Sequence, residues 1–363
     1  MNNIGIFLGH PAHFHLFKNV AKNLSANGKN IFFVIKQKDI LEKLLQDEGL
    51  AYTKIREGRT NSKLALVRSV LQMEWGMVQF IRRNKIDLLI GTTLSFATRV
   101  FTKAKVVSVN EDDAAVVPMF ARLSYPFANA ILNPRVCNSG KWDKKATKYE
   151  SYQELAYLHP NHFTAEKQVV EKYFSPEKPY FILRFAELKA HHDDGIRGIN
   201  TEIAQKIIDI LKPHGEIYIT SERELEPQFE QYRIKINLLD MHHVMAFAQL
   251  YIGDSQTMAA EAGVLGVPFV RFNDFVGRIG YLRELEEAYN LGYGIKTSEL
   301  EKLYSTVSDL VMMQNRKEIF QERRKKMLSE KIDCGKFITW FIENYPESQE
   351  IMRENSDYQY NFK

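Results

Sequence analysis

Cysteine is scarce: Cys137 and Cys334 are the only two in 363 residues, and they stand far apart with no CxxC or Cys/His spacing. That excludes a disulfide framework and a zinc site and fits a reducing compartment. An excess of one charge is missing too. A formal net charge of +4 on a chain with 26% charged residues announces no nucleic-acid partner and leaves anionic substrates allowed. No stretch approaches the roughly 18 apolar residues that a membrane span needs, and the opening MNNIGIFLGH has no basic n-region. The expectation is a cytoplasmic protein, neither exported nor integral to a membrane. A Walker-type glycine loop is absent, which argues against ATP or GTP, and no Asp-x-Asp follows an expected strand, so no metal site is expected.

What is present is alternation. Short apolar runs exchange with longer segments of helical period, the mark of βα units and parallel sheets covered by helices. Strands are expected at Ile4–Leu8, Ile31–Ile35, Leu88–Ile90 and Val106–Val109, with helices near Phe14–Ala26, Ile40–Glu48 and Lys63–Asn84. A second series has strands at Tyr180–Phe185, Glu216–Thr220, Leu250–Ile252 and Pro268–Arg271, and helices around Ile199–Leu211, His242–Gln249 and Thr257–Leu265. Two cores suit a chain of this length. Lys, Tyr, His and Pro-rich text without period fills 139–177, which puts a domain boundary near 155–175. The division is therefore 1–160, 161–330 and a C-terminal helix and tail, 331–363, which could pack back on the first domain; the last fifteen or so residues look frayed.

Ligands of open parallel sheets bind beyond the carboxyl ends of the strands, so the loops that follow strands carry the chemistry. GHPAHFHLF places His10, His13 and His15 at the first strand-to-helix turn, where an imidazole suits a general base or a helix cap. Next, VVSVNEDDAA puts Glu111 and Asp112 on the same rim, although Asp112 or Asp113 equally suits a helix N-cap. The loop ILRFAELKAHHDDG concentrates Arg184, Glu187, Lys189 and His191, whose cations suit phosphate oxygens. In LYIGDSQTMAAEAGVLGVPFVRF, Ser255, Gln256 and Thr257 open a helix whose free N–H groups suit a diphosphate, with Glu261 placed to accept from vicinal ribose hydroxyls. The same letters also read as ordinary α/β punctuation, with a cap at one end and Gly-Val-Pro at the other.

This last segment resembles the GT-B superfamily that contains the UDP-GlcNAc 2-epimerases and the lipid-linked N-acetylglucosaminyltransferase of peptidoglycan synthesis. GDSQTMAAEAGVLGVP is similar to the epimerases' aspartate-serine-glycine…glutamate-alanine…leucine-glycine-valine-proline run, with Glu261 on the ribose-binding glutamate and Ser255, Gln256 and Thr257 on the diphosphate-contacting stretch. HPAHFHLFKN, ILRFAELKAHHD and GDSQTMAAEA together resemble a family of bacterial and archaeal proteins described as predicted glycosyltransferases, over most of residues 1–270. His13 falls on the histidine of the peptidoglycan enzyme's Gly-Gly-His loop, which implies a role at the acceptor hydroxyl. PAHFH replaces that enzyme's glycine-rich loop, and Asn110-Glu111-Asp112 matches the epimerases' histidine-x-glutamate-alanine-glycine motif only at the glutamate.

The resemblance implies two Rossmann-like domains facing across a cleft. It also implies a transferase without metal or bound cofactor, which passes a sugar from a nucleotide diphosphate sugar, UDP-linked by preference, to a glycan or lipid-linked acceptor in surface-polysaccharide assembly. In that scheme His13, partnered by Glu111 or His15, removes the acceptor proton, with His10 and Asp112 nearby on the acceptor side. Arg184, Glu187, Lys189, His191 and the 255–257 helix start hold the donor. A UDP-sugar 2-epimerase and a non-catalytic sugar-nucleotide sensor or scaffold are the alternatives. Helix Lys63–Asn84 carries more apolar residues than one core-facing stripe needs, and Arg68, Arg82, Arg83 and Lys85 edge it, which suits peripheral docking at the inner face of the cytoplasmic membrane as well as burial.

Overall fold

Every apolar run read as a strand lies in a parallel sheet. The chain is seen in a computed structural model that describes residues 1–36, 39–55, 63–186 and 198–363, and it divides into two units, Met1–Tyr157 with Ile332–Lys363, and Leu158–Lys331.

The first unit is built on β1 (Asn3–Leu8), β2 (Asn30–Lys36), β3 (Tyr52–Ile55), β4 (Leu88–Gly91), β5 (Lys105–Val109), β6 (Ala130–Pro134) and β7 (Ala146–Tyr149), in the order β3-β2-β1-β4-β5-β6-β7. The helices among them are α1 (Pro11–Ala26), α2 (Asp39–Asp47), α3 (Lys63–Arg83), α4 (Phe96–Phe101) and α5 (Pro118–Ser124). Central strands read as unbroken apolar runs because helices cover both faces of a parallel sheet; Ile4, Ile6, Leu88, Leu89, Ile90, Val106 and Val107 are all buried. The edge strands β3 and β7 are polar, which is why they leave no apolar run in the sequence. On β7 the ammonium of Lys148 is held by Asn133 Oδ1 of β6 at 2.7 Å and by Asp143 at 2.8 Å.

The second unit pairs β8 (Tyr180–Phe185), β9 (Glu216–Ser221), β10 (Leu250–Gly253), β11 (Phe269–Phe272) and β12 (Gly292–Ile295) in the order β12-β11-β10-β8-β9. Its helices are α6 (Lys167–Glu171), α7 (Thr201–Leu211), α8 (Met241–Ala246), α9 (Gln256–Leu265), α10 (Gly280–Arg283), α11 (Leu300–Met312) and α12 (Arg316–Glu330); α13 (Cys334–Glu343) and α14 (Glu347–Glu354) follow in the first unit. Helix starts differ from expectation by local chemistry. Helix α1 begins at Pro11 because proline at the first position needs no N–H partner and His10 caps it. Helix α7 begins at Thr201 because Asn200 accepts from Ile203 N at 2.9 Å.

The expectation of a frayed C-terminus is corrected. Trp340 stacks on Tyr358 at 4.8 Å, Phe362 packs edge-on against Phe337, and buried Gln359 accepts from Glu150 N at 2.6 Å. Aromatic burial late in the chain outweighs the fraying that a polar sequence invites.

Candidate functional site

In each sheet the strand order reverses direction once, between β1 and β4 in the first and between β8 and β10 in the second. Ligands of doubly wound sheets bind outside the carboxyl ends of the strands at such a reversal. The loops that open there start at Gly9 in the first unit and at Ala186 and Asp254 in the second.

In the second unit Gly253 pairs with Arg184. A Cβ on Gly253 would stand 2.8 Å from Arg184 Cβ and 2.6 Å from the Tyr251 hydroxyl, so only glycine permits this approach. The Arg184 guanidinium donates to Thr220 Oγ1 at 2.9 Å and to Glu222, while its Nε is buried without a hydrogen-bond partner among the described residues. Asp254 follows, 2% exposed, and accepts from Ala186 N at 2.6 Å and Ile199 N at 3.3 Å. Burial pushes its carboxyl up to about 6, against the pull of those two N–H groups and of Arg223. Asp254 thus ties both flanks of the segment that carries Glu187, Lys189 and His191, which lie outside the described residues.

Ser255 is the N-cap of α9, and its side chain makes no capping bond. The first turn of α9, with Gln256 and Thr257 half-buried, therefore keeps the positive end of its dipole for another partner. The helix closes in a Schellman turn: Gly266 at φ 74°, where a side chain would be strained, and Val267 N donating to Ala262 O at 2.9 Å. Glu261 is buried, and its Oε1 lies 3.0 Å from Nε2 of buried His242 on α8. Two residues here escaped sequence reading. Asp254 was legible as a carboxylate ending a buried strand, whereas nothing in the spacing ties residue 242 to 261.

A buried network supports this rim from behind. Fully buried Arg271 on β11 donates through Nε and Nη2 to Glu286 Oε1 at 3.0 and 2.8 Å, and through Nη1 to Asn273 Oδ1 at 3.4 Å. Asn273 in turn donates to the Asp254 carbonyl at 2.9 Å.

In the first unit His10 Nδ1 accepts from Ala12 N and His13 Nδ1 from Gly9 N, both at 3.2 Å, and the two rings lie edge to face at 6.2 Å. His15, two residues further along α1, points to another side of the helix and is buried against the rings of Phe14 and Tyr157. Glu111 follows β5, two strands from β1, and its Oε2 accepts from Gln153 N at 3.2 Å. The carbonyl of Asp112 accepts from Asn110 Nδ2 at 3.2 Å, and Asn110 also holds the Tyr125 hydroxyl, which burial pushes up to about 12. Neither Asp112 nor Asp113 is a helix N-cap: α5 starts after Val117, and the Asp113 carboxylate accepts from Asn138 N at 2.9 Å instead. Among the described residues no cluster of His, Cys, Asp and Glu is arranged to hold a metal ion. A cavity of about 710 Å³ lies between β3 and α3, and none of these candidate residues lines it.

Two parallel sheets of seven and five strands, each reversing once, define a GT-B fold. Solved structures of that class match nearly end to end. S. aureus MnaA in its co-structure with UDP is 12% identical with a TM-score of 0.67, covering 96% of this chain and 98% of that one. A structure described as a putative UDP-N-acetylglucosamine 2-epimerase from Listeria monocytogenes is 13% identical with a TM-score of 0.65, covering 95% and 96%. Spinosyn rhamnosyltransferase SpnG, complexed with spinosyn aglycone, is 13% identical with a TM-score of 0.61, covering 95% and 100%. No curated protein matches the sequence. The chain belongs to the family described as "Protein of unknown function (DUF354)", whose model matches residues 3–280.

Proposed function

We propose that the protein is a glycosyltransferase that takes a sugar from a nucleotide diphosphate sugar held by its second unit and passes it to a glycan or lipid-linked acceptor held by its first, in surface-polysaccharide assembly. The observation that carries this reading is the side-chain-uncapped start of α9 directly after the strand that pairs with Arg184. A diphosphate there meets helix N–H groups, the helix dipole and a guanidinium at once, and these stabilise charge on the leaving group without metal or bound cofactor. Lys189, Glu187 and His191 belong to the same reading. UDP in the MnaA co-structure and thymidine diphosphate in a second SpnG structure support a nucleoside diphosphate as ligand. Glu261, held by His242, is assigned to the ribose.

The test is calorimetric. UDP is expected to bind the native protein, and Glu261→Ala to weaken it by about 1.5–3 kcal/mol for each charge-assisted hydrogen bond lost, with folding retained. Unchanged affinity in the folded variant would remove Glu261 from the donor site, and no binding of any nucleoside diphosphate would remove the reading. The structure described as a putative UDP-N-acetylglucosamine 2-epimerase, with a TM-score of 0.65, favours a second reading in which one UDP-sugar is isomerised and no acceptor is used. Conversion of UDP-GlcNAc alone would select it.

A lipid-linked acceptor asks for membrane docking, and no helix among the described residues is long and apolar enough to cross a membrane. Helix α3 buries Met77, Val78, Phe80 and Ile81 but exposes Val67, Leu71 and Trp75, and Trp75 meets exposed Phe101 of α4 edge to face at 6.2 Å. Phe96 and Val100 extend the exposed apolar face along α4. Exposed Arg68, Arg82, Arg83, Arg99 and Lys103 surround it, while Glu74 is turned inward to accept from Ala97 N at 2.9 Å. An apolar face with a basic rim suits an anionic lipid interface, and this reading keeps the protein at the inner face of the cytoplasmic membrane. Flotation with anionic vesicles is expected to carry the native chain and to lose Arg82→Glu/Arg83→Glu. If neither folded protein floats, the acceptor is a soluble one.

A further inference from the structure

The turn between β1 and α1 fixes where the protons of its two histidines sit. Gly9 N–H donates to Nδ1 of His13, and Ala12 N–H donates to Nδ1 of His10, each at 3.2 Å. A ring nitrogen that accepts an N–H carries a lone pair, so the single proton of the neutral imidazole must be on Nε2 in both rings. Protonating either ring would set N–H against N–H at Nδ1. It would also add a positive charge at the positive end of α1, a helix of 16 residues. Both effects oppose a proton on Nδ1.

Most backbone donors of the turn are committed: Gly9 N to His13 Nδ1, Ala12 N to His10 Nδ1 and His13 N to His10 O at 3.0 Å, while Pro11 has no N–H. Beside the His10 N–H, what this loop has for an oxygen ligand is imidazole N–H.

We propose that His13 acts on substrate as a hydrogen-bond donor through Nε2–H, with His10 donating beside it, and does not act as the general base. The proposal rests on the reading that this rim faces the acceptor. An Nε2 that already bears a proton has no lone pair with which to take one from an acceptor hydroxyl, whereas it suits an oxygen lone pair that gains negative charge during transfer. Triosephosphate isomerase supplies the general precedent of a neutral histidine at a helix N-terminus serving as an electrophile. The transfer balances with the His13 proton untouched. The acceptor oxygen bonds to the sugar's anomeric carbon, and the bond from that carbon to the diphosphate oxygen breaks with its electron pair leaving on the diphosphate. The hydroxyl proton passes to a separate base, for which Glu111 on the same sheet edge is the candidate.

Two measurements on the full chain decide it. Two-bond ¹H–¹⁵N correlation spectra of the histidine rings near neutral pH, with His13 assigned by loss of its signals in His13→Gln, are expected to show a ring protonated at Nε2 alone. A ring protonated at Nδ1 overturns the proposal. In turnover assays, His13→Gln returns an N–H close to the position of Nε2 but no basic nitrogen. It is expected to stay within about tenfold of native kcat, while His13→Ala falls by about 10²–10³-fold, as when a preorganised donor is lost. If His13→Gln, folded and binding nucleotide as the native chain does, falls as far as His13→Ala into the roughly 10²–10⁴-fold range of a lost general base, the donor role is overturned. The spectra need no turnover. An Nε2–H ring in a protein that turns over no donor and acceptor therefore marks failure of the transferase reading, and an Nδ1–H ring marks failure of this one.

Discussion

Arg271→Met is expected to lower the stability of the second unit by about 3–5 kcal/mol, because it removes one partner of a buried ion pair and leaves the other charge uncompensated. The Arg271 side chain is 0% exposed, and Glu286 accepts from it twice. Burial already pushes the Glu286 carboxyl above its ordinary range, with Arg271 pulling it back. Without the arginine, protonation relieves part of the penalty, so the defect should shrink as pH falls. Replacing both partners with apolar residues of similar volume, as Arg271→Met/Glu286→Leu, should recover most of the loss. The readout can separate the units, since Trp75, Trp142 and Trp340 all belong to the first. In urea, the far-UV circular dichroism of the single variant should begin to fall before tryptophan emission changes. Native-like transitions by both probes would show that the pair contributes little.

Asp254→Ala is the second large expectation. It strips the acceptor from Ala186 N and Ile199 N, and an N–H left unsatisfied costs about 1–3 kcal/mol if it stays buried. The sign of the pH effect sets this group apart. Its folded value of about 6 lies above the 3.8 of an ordinary aspartate, so between the two the folded chain holds the proton more tightly than the unfolded one. The contribution of this carboxyl to stability is therefore greatest in acid and declines as pH rises through that window, opposite to a salt-bridged aspartate. A gap of roughly two pH units corresponds to about 3 kcal/mol at most. Asp254→Asn keeps one acceptor and cannot titrate. The stability of the native chain relative to this variant should fall from about pH 4 to about pH 6 and level off above. A difference that stays flat across that window would mean that Asp254 is ionised throughout.

The sequence by itself determined the fold class. A parallel sheet covered on both faces demands continuous apolar strands, and β1, β4, β5, β8 and β10 carry that demand in their letters, whatever the rest of the chain does. It also determined the C-terminal end of α9, because the turn at Leu265-Gly266-Val267-Pro268 is local chemistry: one residue at positive φ and one that cannot continue a helix. Strands β3 and β7 were hidden because a sheet edge places few demands on side chains, so Lys54 and Lys148 could sit in strands that no apolar run announces. The candidate residues were legible as chemistry at the carboxyl ends of strands, but their partners were not. That His242 meets Glu261, that Asp254 ties Ala186 to Ile199, and that Arg271 meets Glu286 are facts of packing between segments far apart in sequence. Even where partners are neighbours in the chain, as for His13 and Gly9, the tautomer follows only from the ring's orientation toward a backbone N–H. A histidine in the letters is equally a base, a donor or a cap, and tertiary structure chooses among them because it decides which nitrogen already has a partner.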